Sequence, residues 1–200
     1  MKSFIEQIKE LKEKSQSISS LSTDVNKFIV EKYGPNSKGD AEDFKSFVSG
    51  KIYFAEYSTP TKISDKVKYI NRYPLFLFIS EEKIGNETIC KVIDLNVIPP
   101  DFRGSILTKI FDFYFQKISE NNKTPNSNQQ SLDLTGAALQ ILLKDTGYSN
   151  AVTGFKRQYL SNIKVVDYSD WVRIPYISIA SIQGLPIEQI YSFYRSKLKE

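Results

Sequence analysis

Apolar residues at the start of the chain recur every three or four positions. Phe4, Ile8, Leu11, Ser15, Ile18, Ser22, Val25 and Ile29 follow the alternating steps of a coiled-coil seam, which predicts helix over 1–33. Two of these eight positions are serine, so a break is expected between Ser15 and Thr23, with Thr23 or Asp24 capping a second helix. Two arrangements suit the pattern. One is an amphipathic hairpin packed on the body; the other is an oligomer arm that seeks a partner helix through Phe4, Ile8, Leu11, Ile18, Val25 and Ile29. A seam of only about four heptads with a polar middle favours packing on this or a neighbouring subunit over an autonomous coiled coil.

Tyr33 to Asp40 is a loop by its Gly, Pro and Asn content, and a short helix is expected over Asp40–Val48, ended by Ser49-Gly50. From Lys51 the period changes to two. Ile52–Tyr57, Tyr73–Ser80 behind Pro74, and Ile89–Leu95 read as strands, with Gly85-Asn86 as a tight turn. Pro99-Pro100-Asp101 ends the sheet and opens a helix with Phe102, Ile106, Ile110, Phe113 and Ile118 on one face, widened by Leu107, Phe111 and Tyr114.

Glu120 to Ser131 is polar and reads as a loop. Helices are predicted over Leu134–Leu143 and Ala151–Leu160, a late strand over Ile163–Tyr168, a Ser169-Asp170 cap ahead of Trp171, and a final helix from Pro186 through Lys199. The expected fold class is therefore α+β: a small antiparallel β-sheet or SH3-like partly closed barrel flanked by N-terminal helices and a C-terminal helical half. Residues 1–48 form the helical arm or hairpin. Residues 49–200 form the body, mainly β to residue 100 and mainly helical beyond.

Composition sharpens the functional question by what it lacks. The 200 residues include no histidine and one cysteine, Cys90. Ser-His-Asp, Cys-His and histidine-dependent metal hydrolases are excluded, as are zinc knuckles and dithiol redox sites within one chain. No cofactor or metal is called for, and the balance tilts from enzyme to binding or structural protein. No apolar run approaches the about 18–20 residues of a membrane span, and no signal-peptide core follows Met1-Lys2, so no membrane role is expected.

The net charge of +4 is uneven. Twenty lysines and arginines face nineteen acids in the first 150 residues, and seven face four in the last fifty. That excess permits phosphate contact but falls short of the dense basic stripe of a committed nucleic-acid binder.

Three chemical readings fail on spacing. Asp101-Phe102-Arg103-Gly104-Ser105-Ile106-Leu107 has one glycine where a pyrophosphate turn needs more, and Ile106 where a small residue is required. Pro100-Asp101 lacks the downstream acid-x-Lys of a metal-dependent nuclease. Asp40, Glu42 and Asp43 read as an acidic helix N-terminus rather than a ligand set. Tyr53, Tyr57, Tyr69 and Tyr73 with Lys66, Lys68 and Arg72 could form a single-strand-binding surface, but core filling is the stronger reading for tyrosines in a small barrel.

One ordered set of motifs points further. Tyr57-x-x-Pro60 is followed by Lys68-Tyr69-x-x-x-Tyr73-Pro74-Leu75, then Asp94-Leu95-Asn96-x-x-x-Pro99-Pro100-x-x-Arg103. Lys156-Arg157-x-Tyr159-Leu160, Tyr168-x-x-Trp171 and a last helix with Tyr191 and Arg195 come later. Over roughly 51–195 this order resembles the tailed-phage virion proteins known as DNA end protectors, after the terminal DNA-protecting protein of T-even phages. The resemblance implies a non-enzymatic structural protein of the virion, at the portal, neck or upper tail, present in the host cytoplasm during assembly. It implies other virion proteins as partners, a homo-oligomer, and contact with linear double-stranded DNA ends. Arg103, Lys156, Arg157 and Lys164 would meet phosphates; Tyr159 or Trp171 could stack on a terminal base pair, with Trp171 more at home as a core anchor. The alternative is a ring or adaptor subunit acting through protein–protein contacts alone, which the near-neutral first 150 residues favour.

Overall fold

The computed structural model describes residues 4–34, 37, 44–62, 69–120, 143, 144, 146–178 and 187–195, with 111–120 described as helical backbone. Two helices open the chain, α1 (Phe4–Glu13) and α2 (Ile18–Tyr33). The break falls at 14–17, overlapping the start of the predicted window, but the cap is Ser17 rather than Thr23 or Asp24. The Ser17 hydroxyl accepts from the Ser20 backbone N–H while the Ser20 hydroxyl accepts from the Ser17 N–H, a reciprocal capping box. The buried stripe of α2 is Leu21, Val25, Ile29 and Tyr33. Leu21 takes the inward place that the seam gave to Ser22, and Ile18 is 58% exposed. A Cβ at Gly34 would lie 2.3 Å from the Val30 carbonyl oxygen, so the chain leaves α2 where only glycine fits.

Strands β1 (Ile52–Tyr57), β2 (Leu75–Ile84) and β3 (Glu87–Asp94) form the predicted antiparallel meander. Gly85 at φ 61° occupies the first position of the two-residue turn, where a II′ hairpin loop places its glycine. Helix α3 (Pro100–Glu120) follows, burying Arg103, Ile106, Leu107 and Ile110, while Phe102 stands 37% exposed.

The C-terminal half differs from expectation. The predicted helix over Ala151–Leu160 is β4 (Val152–Lys156) followed by a 3-10 turn at Arg157–Tyr159; the late strand is β5 (Leu160–Val165). A nine-residue 3-10 segment, Tyr168–Tyr176, starts at Asp167 rather than at the expected Ser169-Asp170 cap. Helix α4 (Ile187–Tyr194) closes the order. Beyond residue 100 the described residues are thus mainly helical, as expected, with β4 and β5 interrupting the helical elements. The expected helix at Asp40–Val48 has its first four residues outside the described set, and Phe44–Val48 is non-helical. Also outside lie the loop 121–131, residues 134–142 of the predicted helix, and the final helix's Pro186 and residues 196–199.

The strand order β4-β3-β2-β1-β5 explains why the sheet must curl. Flat, its two edges would stand ~19 Å apart at the usual strand spacing. They are joined by the three residues Arg157–Tyr159, whose 3-10 rise covers only ~6–8 Å. The Tyr57 ring accordingly lies 4.9 Å from the Phe155 ring, although two strands separate β1 from β4 in the sheet. Register shifts at Phe54/Glu56 and Phe78/Ser80 supply the bend, and Asn162 in β5 takes φ 47° near the first of them. No ladder joins β4 to β5 among the described residues, so the curled antiparallel sheet is an open barrel, not a closed one.

Alternation assigns the two faces. Ile52, Phe54, Leu75, Leu77, Ile79 and Ile93 face the helices and share one core with Phe4, Leu21, Val25, Ile29, Ile106, Ile110 and Trp171. Tyr53, Ala55, Phe76, Phe78, Cys90, Val92, Phe155, Leu160 and Ile163 line the barrel interior. Phe47 plugs that interior, stacked on Phe78 at 4.8 Å and edge-on to Tyr53 at 4.9 Å, while Tyr53 Oη accepts from the Val48 N–H at 2.7 Å.

Candidate functional site

The N-terminal helices are part of the body rather than an arm. Phe4, Val25 and Ile29 are buried in the chain's own core, and Ile8 and Leu11 pack against it. Lys32 Nζ reaches Asp167 at 2.5 Å and Asp170 at 2.8 Å; Tyr33 Oη donates to Asp170 Oδ2 and accepts from the Asp167 N–H. Burial works against the Lys32 charge, but its bonds to Asp167, Asp170 and Tyr33 together outweigh that and hold its pKa above the usual lysine range. The oligomer-arm assignment is therefore corrected for these residues. Of its six positions Ile18 alone is left exposed, because a one-residue shift of the stripe puts Leu21 inside.

Arg103 is also corrected. Its guanidinium is fully buried and donates to the carbonyls of Ile98 at 2.6 Å and Ile177 at 2.5 Å, and to Tyr191 Oη at 3.2 Å. Burial lowers its pKa, while Tyr191 and Asp94 act to raise it. It holds α3, the end of the 3-10 segment and α4 together, and no phosphate can reach it. Trp171 is the core anchor, donating from Nε1 to the Val166 carbonyl at 3.2 Å.

Next to Arg103 lies a buried polar knot. Asp94 accepts from Asn71 Nδ2 with both oxygens and from the Asn96 N–H; Asn96 Nδ2 donates to Asn71 Oδ1 and the Tyr73 carbonyl. These bonds fix Asn71 to Tyr73, the last stretch of the β1–β2 loop, on the end of β3. Burial pushes the Asp94 carboxyl up to about 6 against the lowering effect of those hydrogen bonds.

Of the remaining candidate DNA-contact residues, Lys156, Arg157 and Tyr159 come together at the β4–β5 turn. Lys156 Nζ sits 6.0 Å from the Tyr159 ring centroid, and Tyr159 lies 6.2 Å from Tyr57. Lys164 lies apart on β5, opposite Phe54. The cations of this surface are matched by acids of the β2–β3 hairpin: Lys156 with Glu87 at 2.6 Å, Arg157 with Glu81 at 3.8 Å, Lys91 with Glu82 at 3.2 Å. The bond to Glu87 raises the Lys156 pKa. Arg157 also lies 5.1 Å above the Phe44 and Phe47 rings, where it covers the barrel plug.

Beside Tyr159 a cleft of about 330 Å³ opens at the root of the β1–β2 loop, lined by Glu56, Tyr57, Ser58, Thr59, Thr61, Ile70, Arg72 and Tyr73. The Tyr57 N–H donates to the Arg72 carbonyl at 2.9 Å, and the Ser58 N–H turns away to the Tyr159 carbonyl at 3.0 Å. The two strands part there, and the cleft forms between them. Of the sequence's aromatic-basic group, Tyr57, Tyr73 and Arg72 line this cleft, Tyr53 is core, and Lys66 and Lys68 lie outside the described residues. Glu56, the three hydroxyl residues and Ile70 carry no motif, so sequence reasoning had no signal for them.

Among the described residues no group of three or more Cys, Asp or Glu side chains is placed to hold a metal ion, and no helix is long and apolar enough to cross a membrane. The chain matches no family model, no curated protein and no solved structure.

Proposed function

We propose that this chain is a non-enzymatic structural protein of a tailed-phage virion, a homo-oligomeric component of the portal, neck or tail that acts through protein–protein contacts. The ordered motifs from Tyr57 to Trp171 supply the virion setting. The observation that supports this mode is charge matching. Lys91, Lys156 and Arg157 each face a glutamate of the β2–β3 hairpin, and Arg103 is spent inside the fold. A surface whose cations are neutralised in place releases few counterions from DNA and gains little by meeting it.

A second reading, protection of the packaged DNA end, is supported by one feature. Lys156 and Tyr159 pair a cation with an aromatic ring on the surface of the β4–β5 turn, as single-strand and end binders do. One experiment separates the two. Copy number in purified particles, with exonuclease protection of linear duplex at two salt concentrations, should give a ring-like stoichiometry and no protection. Protection at low salt that Lys156→Gln with Arg157→Gln abolishes would transfer the assignment to end binding.

A further inference from the structure

The cleft between Tyr57 and Tyr73 holds one charge of each sign, Glu56 and Arg72. Around the β4–β5 turn the cations are paired, and on the helical side Lys32 and Arg173 are held by Asp167 and Asp170. In the cleft, Glu56 and Arg72 have no ion-pair or side-chain hydrogen-bond partner among the described residues. They come from adjoining positions, Glu56 in β1 and Arg72 in the last stretch of the β1–β2 loop, since the Tyr57 N–H bonds the Arg72 carbonyl. Tyrosine rings and Ile70 supply the walls, and Ser58 and Thr61 supply hydroxyl groups, the Thr61 hydroxyl accepting from that of Thr59 and keeping its own proton to donate.

We infer that this cleft is a receptor for an extended peptide segment of a partner protein, one that carries an acid for Arg72, a base for Glu56 and an apolar side chain between Tyr57 and Tyr73. The charge pattern argues for a peptide over a nucleic acid. A strand of uniform negative charge would set phosphate against Glu56 wherever Arg72 attracted it, whereas a peptide can carry both signs. Tyrosine walls give contact area at low entropic cost, and the hydroxyls match the amides of an extended backbone. The knot of Asn71, Asn96 and Asp94 holds the Arg72–Tyr73 side of the cleft on β3, so the site is set before the partner arrives.

This inference rests on the protein–protein reading and gives it a chemical address. The test is selection of a random 12-residue peptide library on the full chain, on Arg72→Glu and on Glu56→Arg, with melting curves to confirm folding. Expected is a consensus of an apolar residue flanked by one acid and one base. Arg72→Glu should weaken the consensus peptide by about tenfold or more and select a base in place of the acid. Glu56→Arg should exchange the other charge. No charge-patterned consensus, a consensus indifferent to both reversals, or binding of an oligo-dT competitor in place of peptides would each overturn the inference. Ring-like stoichiometry in particles alongside such a failure would leave the assembly reading standing without this cleft.

Discussion

Tyr33 at the last turn of α2 donates its hydroxyl to Asp170 across 2.7 Å, and accepts in turn from the backbone of Asp167 at 3.0 Å. This one side chain joins the N-terminal helices to the segment that carries Trp171. Burial, followed by the hydrogen bond to Asp170, raises the Tyr33 pKa, so the phenol keeps its proton and remains the donor. Tyr33→Phe keeps the ring in the core and removes both bonds. Asp170 still has Lys32 and Arg173, so the loss should sit near the lower end for a bond to a charge, about 1.5 kcal/mol by urea denaturation. An unchanged midpoint would show that the helices are held by apolar packing alone.

Arg103→Met fills similar space but leaves the Ile98 and Ile177 carbonyls without their donor. A loss of about 2–4 kcal/mol is expected, with no change in any DNA affinity relative to the surface variants. Arg103→Lys should not rescue it, because a single ammonium cannot reproduce the fork that reaches both carbonyls and Tyr191.

Asp94 gives a pH dependence of defined sign. Its folded pKa, pushed up to about 6, lies above the ordinary 3.8, so the folded state holds this proton more tightly than the unfolded chain does. The group therefore costs stability at neutral pH and returns it as pH falls through 6 towards 3.8, a swing of about 3 kcal/mol. Urea titrations of wild type and Asp94→Asn between about pH 7 and pH 4 should show wild type gaining on the variant as pH falls. A constant difference would mean that the carboxylate is better compensated by Asn71 and Arg103 than its burial implies.

Charge matching on the β2–β3 hairpin predicts a gain-of-binding experiment. Glu81→Gln, Glu82→Gln and Glu87→Gln together free Arg157, Lys91 and Lys156. Non-specific duplex affinity should rise, with a log–log salt slope steeper by up to about 2.7 units if all three cations meet phosphate. Wild type that already binds duplex as steeply as the triple variant would contradict the neutralised surface.

Cys90 sits inside the barrel, where burial first and the Glu81 charge second push its thiol up to about 12. Alkylation by iodoacetamide at neutral pH should be far slower in the native protein than in urea. Equal rates would mean that the barrel interior opens readily.

Local signals were enough for much of the fold. The period-two runs from Ile52 to Leu95, the Gly85-Asn86 turn and Pro99-Pro100 before α3 mark elements whose hydrogen bonds close within short stretches of chain. The absence of histidine bounded the chemistry in the same direct way. The basic residues and spacing of segment 151–160 also suit a helix, which is why the local pattern points away from the strand that forms there. Val152-Thr153-Gly154 was the available strand signal, and pairing with β3, over 60 residues earlier in the chain, made it β4.

What the sequence by itself determined is therefore the local period, the turns and the catalytic groups it lacks. Tertiary structure decided which charges count. Arg103 and Arg72 are the same residue type at two basic positions of one chain, yet one is sealed behind Ile98 and Ile177 while the other lines an open cleft. A guanidinium's role follows from the solvent and the partners it keeps, and these are set by contacts between distant segments that no local pattern encodes.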